Sequence, residues 1–209
     1  MYIPPSFLET DPTKLHDFME RHSFATLISS HDGEPVASHL PLLLDRAVGQ
    51  HGRLIGHMAR ANSHWQSASG QRVLAIFHGP HAYVSPGWME AQNVVPTWNY
   101  VTVHAYGTLR LIEDRDRLRD IVRRTVETYE ANRATPWSML QPEAEFIDKL
   151  LAAIVGFEID IDRLEGKWKL NQNHPAERRE QIIRGLLETE RHDETQIAEL
   201  MKASMEAKP

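Results

Sequence analysis

"TWNYVTVHAYGTLRLI", residues 97–112, sets Val101, Val103, Ala105, Leu109 and Leu111 on one face and Thr102, His104, Tyr106 and Arg110 on the other. That period-two alternation is the pattern of a strand with one buried side. Gly107 interrupts it and marks a bend or bulge. The segments around it read the same way. "FATLISS" (24–30) and "EPVASHLPLLLD" (34–45) flank His31-Asp32-Gly33, a hairpin signal with glycine available for positive φ. "GRLIGHM" (52–58) is a further strand. "RVLAIFHG" (72–79) and "HAYVS" (81–85) read as two strands broken at Gly79-Pro80, and "IVGFEIDIDRLEGKWKL" (154–170) returns as a late strand.

Helical patterns are short or peripheral. "ETDPTKLHDFMERHS" (9–23) starts a helix, with Thr10 or Asp11 as cap, Pro12 in the first turn and Leu15, Phe18 and Met19 on one face. "NSHWQSAS" (62–69) is a short helix capped by Asn62 or Ser63. In "EDRDRLRDIVRRTVETYEAN" (113–132), Leu118, Ile121, Val122, Val126 and Tyr129 form the expected buried stripe. "PEAEFIDKLLAAI" (142–154) and the spans 175–190 and 193–206 complete the helices, and 86–96 reads as a loop over a barrel mouth. Without regular βαβ alternation a doubly wound parallel sheet is not expected. The expected class is mainly β, an antiparallel barrel with peripheral and C-terminal helices. The expected boundaries are a barrel domain over 1–172 and a helical extension over 173–209.

Apolar residues make up 41% and charged residues 25%, so the chain can bury an ordinary core. No stretch approaches the roughly 18 apolar residues of a membrane helix, and "MYIPPSF" lacks the regions of a signal peptide. Cysteine is absent, which removes disulfides, thiolate metal sites and a cysteine nucleophile. The expectation is a cytoplasmic protein without membrane contact. The net charge of −6 does not favour general nucleic-acid binding. Between Arg163 and Arg184, however, six Lys/Arg meet three Glu, so a local anion site is favoured over a DNA-binding surface.

Several constellations carry chemistry. In "GHMARANSHW" (56–65) a strand runs out into Arg60, and Asn62-Ser63-His64 open a helix. Free N–H groups at a helix start, with a guanidinium and a hydroxyl nearby, suit a phosphate; an N-cap beside a surface arginine explains the same residues. Trp98 and Tyr100 could pack on a planar ligand or on the core, with Asn99 turned to the other face. "GKWKLNQNH" (166–174) gathers lysines and side-chain amides, which is either a polar turn or a site for an electron-rich anion. The 12 histidines, including His78 and His81 in "HGPH", do not nominate three or four convergent ligands, so no metal is expected. No G-x-S-x-G elbow, P-loop or G-x-G-x-x-G fingerprint occurs.

"MYIPPSF", "SHLPLLL" (38–44), "GHMARANSHW", "HAYVSPGWM" (81–89), "VPTWNYVTVHAYG" (95–107) and "GKWKLNQN" follow one another in the order they hold in the PaiB family, which this chain resembles over roughly residues 1–190. That family is similar to FMN-binding split β-barrels of the pyridoxamine-phosphate-oxidase group. The resemblance implies a split-barrel homodimer with FMN in the crevice between subunits. Carried onto this chain, it makes Arg60, Asn62, Ser63 and His64 the phosphate cradle. Ser38 and His39 would lie beside the isoalloxazine ring, and Trp98 and Asn99 would reach the cofactor. Lys167, Lys169, Gln172 and Asn173 would close the pocket. The closing motif of the related oxidases is missing, so their substrate chemistry does not transfer.

Three functions follow as expectations: a PaiB-type FMN protein acting as a negative transcriptional regulator, a flavin-dependent oxidoreductase on a small molecule, and a haem-binding split barrel. Whether the chain is an enzyme stays open. DNA as a partner has weak support, because 175–190 mixes Arg178, Arg179 and Arg184 with Glu177, Glu180, Glu188 and Glu190.

Overall fold

The computed structural model describes residues 1–89 and 92–206. Eight strands form one sheet: β1 (Leu8–Glu9), β2 (Phe24–His31), β3 (Glu34–Pro41), β4 (Leu43–Asp45), β5 (Arg53–Ala59), β6 (Arg72–Val84), β7 (Thr97–Ile112) and β8 (Ile154–Lys169). The helices are α1 (Pro12–Arg21), α2 (His64–Ala68), α3 (Arg115–Glu130), α4 (Ala144–Ala152), α5 (Ala176–Leu187) and α6 (His192–Glu206). Hydrogen bonding runs in the order β3-β2-β6-β7-β8-β5-β4, with β1 on β8. The pairings of β1 with β8, β2 with β3 and β6, and β5 with β4 and β8 are antiparallel. The expected mainly-β architecture with helices is therefore the one observed.

The chain supplies two compact units. One comprises residues 12–77 and 104–164, the other residues 1–11, 78–103 and 165–209. The expected boundary at 172/173 falls inside the second of these.

In the first unit, β2 and β3 meet through a turn in which Asp32 (φ 51°) and Gly33 (φ 84°) both adopt positive φ, as a two-residue hairpin of the right twist requires. Leu15, Phe18 and Met19 of α1 are buried, as their spacing predicted. On β7, whose residues 104–112 belong to this unit and 97–103 to the other, the alternation also holds, except that Thr102 is buried and Leu111 yields the last inward position to Ile112. On α3 the stripe expected to be buried holds at Leu118 and Ile121 but not at Tyr129, which is 45% exposed because its hydroxyl pairs with Ser23 Oγ at 2.6 Å near the surface. Gly107 is explained by close approach: a Cβ there would lie 2.2 Å from the carbonyl oxygen of Asp160 and 2.8 Å from Ile159 Cγ2.

A buried polar knot fastens α2 to the β2-β3 pair. His64, 2% exposed, spans Ser29 Oγ (2.9 Å from Nε2) and Ser38 Oγ (2.8 Å from Nδ1), and Asn62 Nδ2 donates to the same Ser38 oxygen at 2.9 Å. A neutral ring suits two hydroxyls, each of which can donate or accept. Burial, which disfavours the charged ring, holds the His64 pKa below its usual 6.5.

In the other unit, β1 lies on β8 with Leu8 opposite Lys167, and the N-terminal ammonium reaches Glu165 Oε2 at 2.5 Å. α5 and α6 pack together through Ile182, Leu186, Ile197 and Met201, all fully buried. The break expected at Gly79-Pro80 is corrected: β6 is continuous. Its register with β2 covers only Leu74 to Ile76. Pro80 thus needs no N–H on that side, and its fixed φ suits an extended chain.

Two outcomes follow. Gly107→Ala should lower the unfolding free energy by about 1–3 kcal/mol, because a methyl cannot coexist with the Asp160 carbonyl; a denaturant midpoint equal to the parent's would refute the close approach. Stability should also fall as pH drops from about 7.5 to about 5.5. The unfolded chain takes up a proton near 6.5 while buried His64 resists it, so the stabilisation is full above 6.5 and is lost below. Measured over that range, the slope should be shallower in His64→Gln.

Candidate functional site

The expected site residues fall into two sets, one in each unit. In the first, β3 delivers Ser38 and His39 to opposite faces, Ser38 buried in the polar knot and His39 exposed. Arg60 follows the end of β5. Its Nε and Nη2 donate to the carbonyls of Ala152 (3.0 Å) and Ile154 (2.9 Å), which uses two of its five N–H donors. Its own carbonyl accepts from Trp65 Nε1 at 3.0 Å. Ser63 is the N-cap residue of α2, but its hydroxyl caps nothing; the amide oxygen of Asn62 accepts from the His64 N–H at 3.1 Å instead. Arg60 and Ser63 are exposed donors, whereas His64 is an internal brace with both ring nitrogens engaged.

In the other unit, Trp98 is 53% exposed and meets Tyr83 edge-on, with ring centroids 5.9 Å apart. Its neighbour Asn99 is fully buried. Asn99 Nδ2 reaches Met201 Sδ of α6 at 3.4 Å, and its Oδ1 has no partner among the described residues. The strict alternation of β7 accounts for this split, one side chain outward and the next inward.

The end of β8 and the turn after it hold the other four. Lys167, 7% exposed, donates to the Tyr2 carbonyl at 3.0 Å and sits 5.1 Å from the centre of the Tyr100 ring, a pairing that keeps a buried ammonium satisfied. Lys169 donates to Thr97 Oγ1 at 2.5 Å and to the Trp98 carbonyl. Burial, with Lys167 nearby, pushes its pKa down. Gln172 closes the turn on itself: its Oε1 accepts from the Leu170 N–H at 2.7 Å and its Nε2 donates to the Trp168 carbonyl at 2.6 Å. Asn173 is exposed.

Lys169 and Asn173 come together in a cavity of about 300 Å³, within the size range of small-molecule sites. Phe7, Met89, Val94 and Val95 give it apolar walls. Its other polar members are Asn93, Thr97, Asn171, His174 and Arg178; the sequence named none of them individually as a site residue, although the 166–174 stretch contains Asn171 and His174. Arg178 Nη1 lies 3.0 Å from His174 Nδ1, so that nitrogen accepts and the ring is neutral; burial, then Arg178 and Lys169, lower the His174 pKa. Asn171 holds a left-handed backbone (φ 58°) and is 5% exposed, with Oδ1 unpartnered among the described residues. The run of amides around a turn was a legible signal for Asn171; nothing local marked Arg178 as belonging to the cavity.

These donor sets fit FMN. Its dianionic phosphate suits exposed Arg60 and Ser63, and a ring edge of acceptors flanking one donor suits lysine and amide groups, with Asn171 Oδ1 and Asn99 Oδ1 as unmet acceptors. Metal chemistry has no such support: among the described residues, no group of three or more His, Asp or Glu is placed to hold an ion.

A family model described as "Putative FMN-binding domain" matches residues 1–163. The Bacillus subtilis (strain 168) "Protease synthase and sporulation protein PAI 2" is 36% identical over 205 residues, covering 97% of each chain. Among solved structures, the flavocytochrome Anf3 from Azotobacter vinelandii superposes with a TM-score of 0.58 at 14% identity, over 78% of this chain and 69% of that one. The FAD and Heme binding protein from Mycobacterium smegmatis gives 0.56 at 19% identity, over 85% and 80%. Those similarities establish the split-barrel fold. Near-full-length identity and the FMN-binding family match together place the chain in the PaiB family of FMN-binding split-barrel proteins, with FMN as its cofactor.

Proposed function

We propose that the protein is a PaiB-type negative transcriptional regulator, a cytoplasmic homodimer that carries FMN and influences transcription without a DNA-reading helix of its own. The observation that carries this reading is the fate of the arginines on α5. Arg179 is 9% exposed and turned into the unit, donating to the Met201 carbonyl (3.3 Å) and to Ser204 Oγ. Arg178 turns to His174 and lines a cavity, and Glu177 and Glu180 flank the two arginines. No continuous basic face remains for phosphate backbones. A near-full-length relative named for protease synthesis and sporulation supports a regulatory role.

Within this reading Arg60, Asn62 and Ser63 hold the FMN phosphate, and Ser38 positions them through the polar knot. His39, Trp98, Asn99, Lys167, Lys169, Gln172 and Asn173 are assigned to the ring and its surroundings, Lys167 and Gln172 by shaping the segment that presents Lys169 and Asn173. When bound, FMN supplies one- or two-electron redox chemistry. An oxidoreductase reading would be favoured by FMN-stimulated consumption of a nicotinamide reductant. A haem reading draws nothing from His64, whose nitrogens are both engaged.

The purified protein should be yellow, release FMN on denaturation and show a solution mass of twice 24.0 kDa. Ser63→Asp places a carboxylate where the phosphate is assigned, on a side chain with no structural bond, so FMN affinity should drop at least about tenfold with an unchanged melting temperature. Arg60→Ala should weaken FMN by about 1.5–3 kcal/mol. Full affinity in both variants would remove the cradle. In an anisotropy titration DNA should bind weakly and without sequence preference; tight, salt-sensitive and selective binding would sink the indirect mode.

A further inference from the structure

The cavity beside α5 is built for more than the closing segment of a flavin site. Its titratable lining groups are Lys169, His174 and Arg178, and no carboxylate lines it among the described residues. α5 begins at its rim: Asn173 and His174 precede the helix and Arg178 lies in the first turn. The N-cap there is Pro175, which offers no side-chain cap, so first-turn N–H groups stay unbonded by side chains. A helix of this length adds the positive end of its dipole to the two cations. Lys169 has two of its three N–H donors on Thr97 and Trp98, which leaves one. With Nδ1 accepting from Arg178, the His174 ring carries its proton on Nε2. Donors thus predominate at one end of the cavity, while Phe7, Met89 and Val94 make the rest apolar. In the same wall the 5%-exposed Asn171 keeps Oδ1, an acceptor, without a partner among the described residues; it makes that wall polar but is no contact for an anionic head.

We propose that this cavity binds a small organic anion, with a carboxylate or phosphate head at Arg178, His174 and the start of α5 and a short apolar body against Phe7, Met89 and Val94. It is a ligand site separate from the FMN phosphate, and it gives the regulator a small-molecule signal. The site shares Lys169 and Asn173 with the FMN assignment and adds Arg178, His174 and the start of α5, which that assignment does not use.

The test is calorimetric titration of the full-length protein with benzoate, phenyl phosphate, inorganic phosphate and the neutral isostere benzamide. FMN binding is followed separately by flavin fluorescence. Benzoate or phenyl phosphate should bind, their ratio identifying the preferred head, while benzamide and bare phosphate should bind at least about tenfold more weakly. Arg178→Ala should reduce binding of the organic anion about tenfold or more and leave FMN affinity and melting temperature unchanged. Arg178→Glu should abolish anion binding. The proposal is overturned if benzamide binds as well as benzoate, if neither organic anion binds, or if Arg178→Ala leaves its binding intact. It is also overturned if Arg178→Ala weakens FMN and the anion by the same factor, which would make the cavity part of the flavin site. Failure of the wild-type protein to bind FMN while benzoate still binds would instead count against the flavin reading and leave this one standing.

Discussion

A buried polar group has to find a partner, and that constraint organises both units of this protein. An unpaired amide or hydroxyl in the interior costs about 1–3 kcal/mol, a large part of a domain's net stability. In one unit the requirement produces the knot of Ser29, His64, Ser38 and Asn62, which fixes α2 against the β2-β3 hairpin. In the other it draws the Lys167 ammonium onto the Tyr2 carbonyl and folds the Gln172 amide back on its own turn. Most of the polar residues that look like ligand contacts in the sequence are at least partly occupied by the fold itself.

The exceptions then become informative. In the unit that contains the end of β8 and the α5-α6 pair, Asn99 Oδ1, Asn171 Oδ1 and Arg179 Nε are buried and unpartnered among the described residues. Two of them are amides on segments assigned to the flavin on independent grounds. Arg179 is different: its Nη2 is satisfied by α6, so its charge serves helix packing and is withdrawn from the surface. That withdrawal separates a basic-looking helix from a nucleic-acid-reading one.

Charge placement makes the same distinction within the expected cradle. Arg60, Asn62, Ser63 and His64 are neighbours in sequence, yet they divide into two exposed donors and two members of an internal brace. Beyond the end of β5, Asn62 and His64 turn to Ser38 while Arg60 and Ser63 stay exposed, so adjacency in a motif does not mean a shared role.

Alternating apolar and polar residues, the Asp-Gly turn and the apolar stripes of α1 and α3 were enough to state the strands, the hairpin and the mainly-β class, because these are local consequences of period and backbone freedom. The order of six motifs was enough to identify the family. Tertiary structure decided what no window of sequence holds: that β6 passes through Gly79-Pro80 unbroken because β2 stops pairing before it, and that Gly107 is needed by a carbonyl more than fifty positions away. It also decided that Arg178, His174 and Asn171 join Lys169 around one cavity. Periodicity reports the face a residue occupies on its own element; which groups converge, and which are consumed before a ligand arrives, depends on contacts between elements distant in the chain.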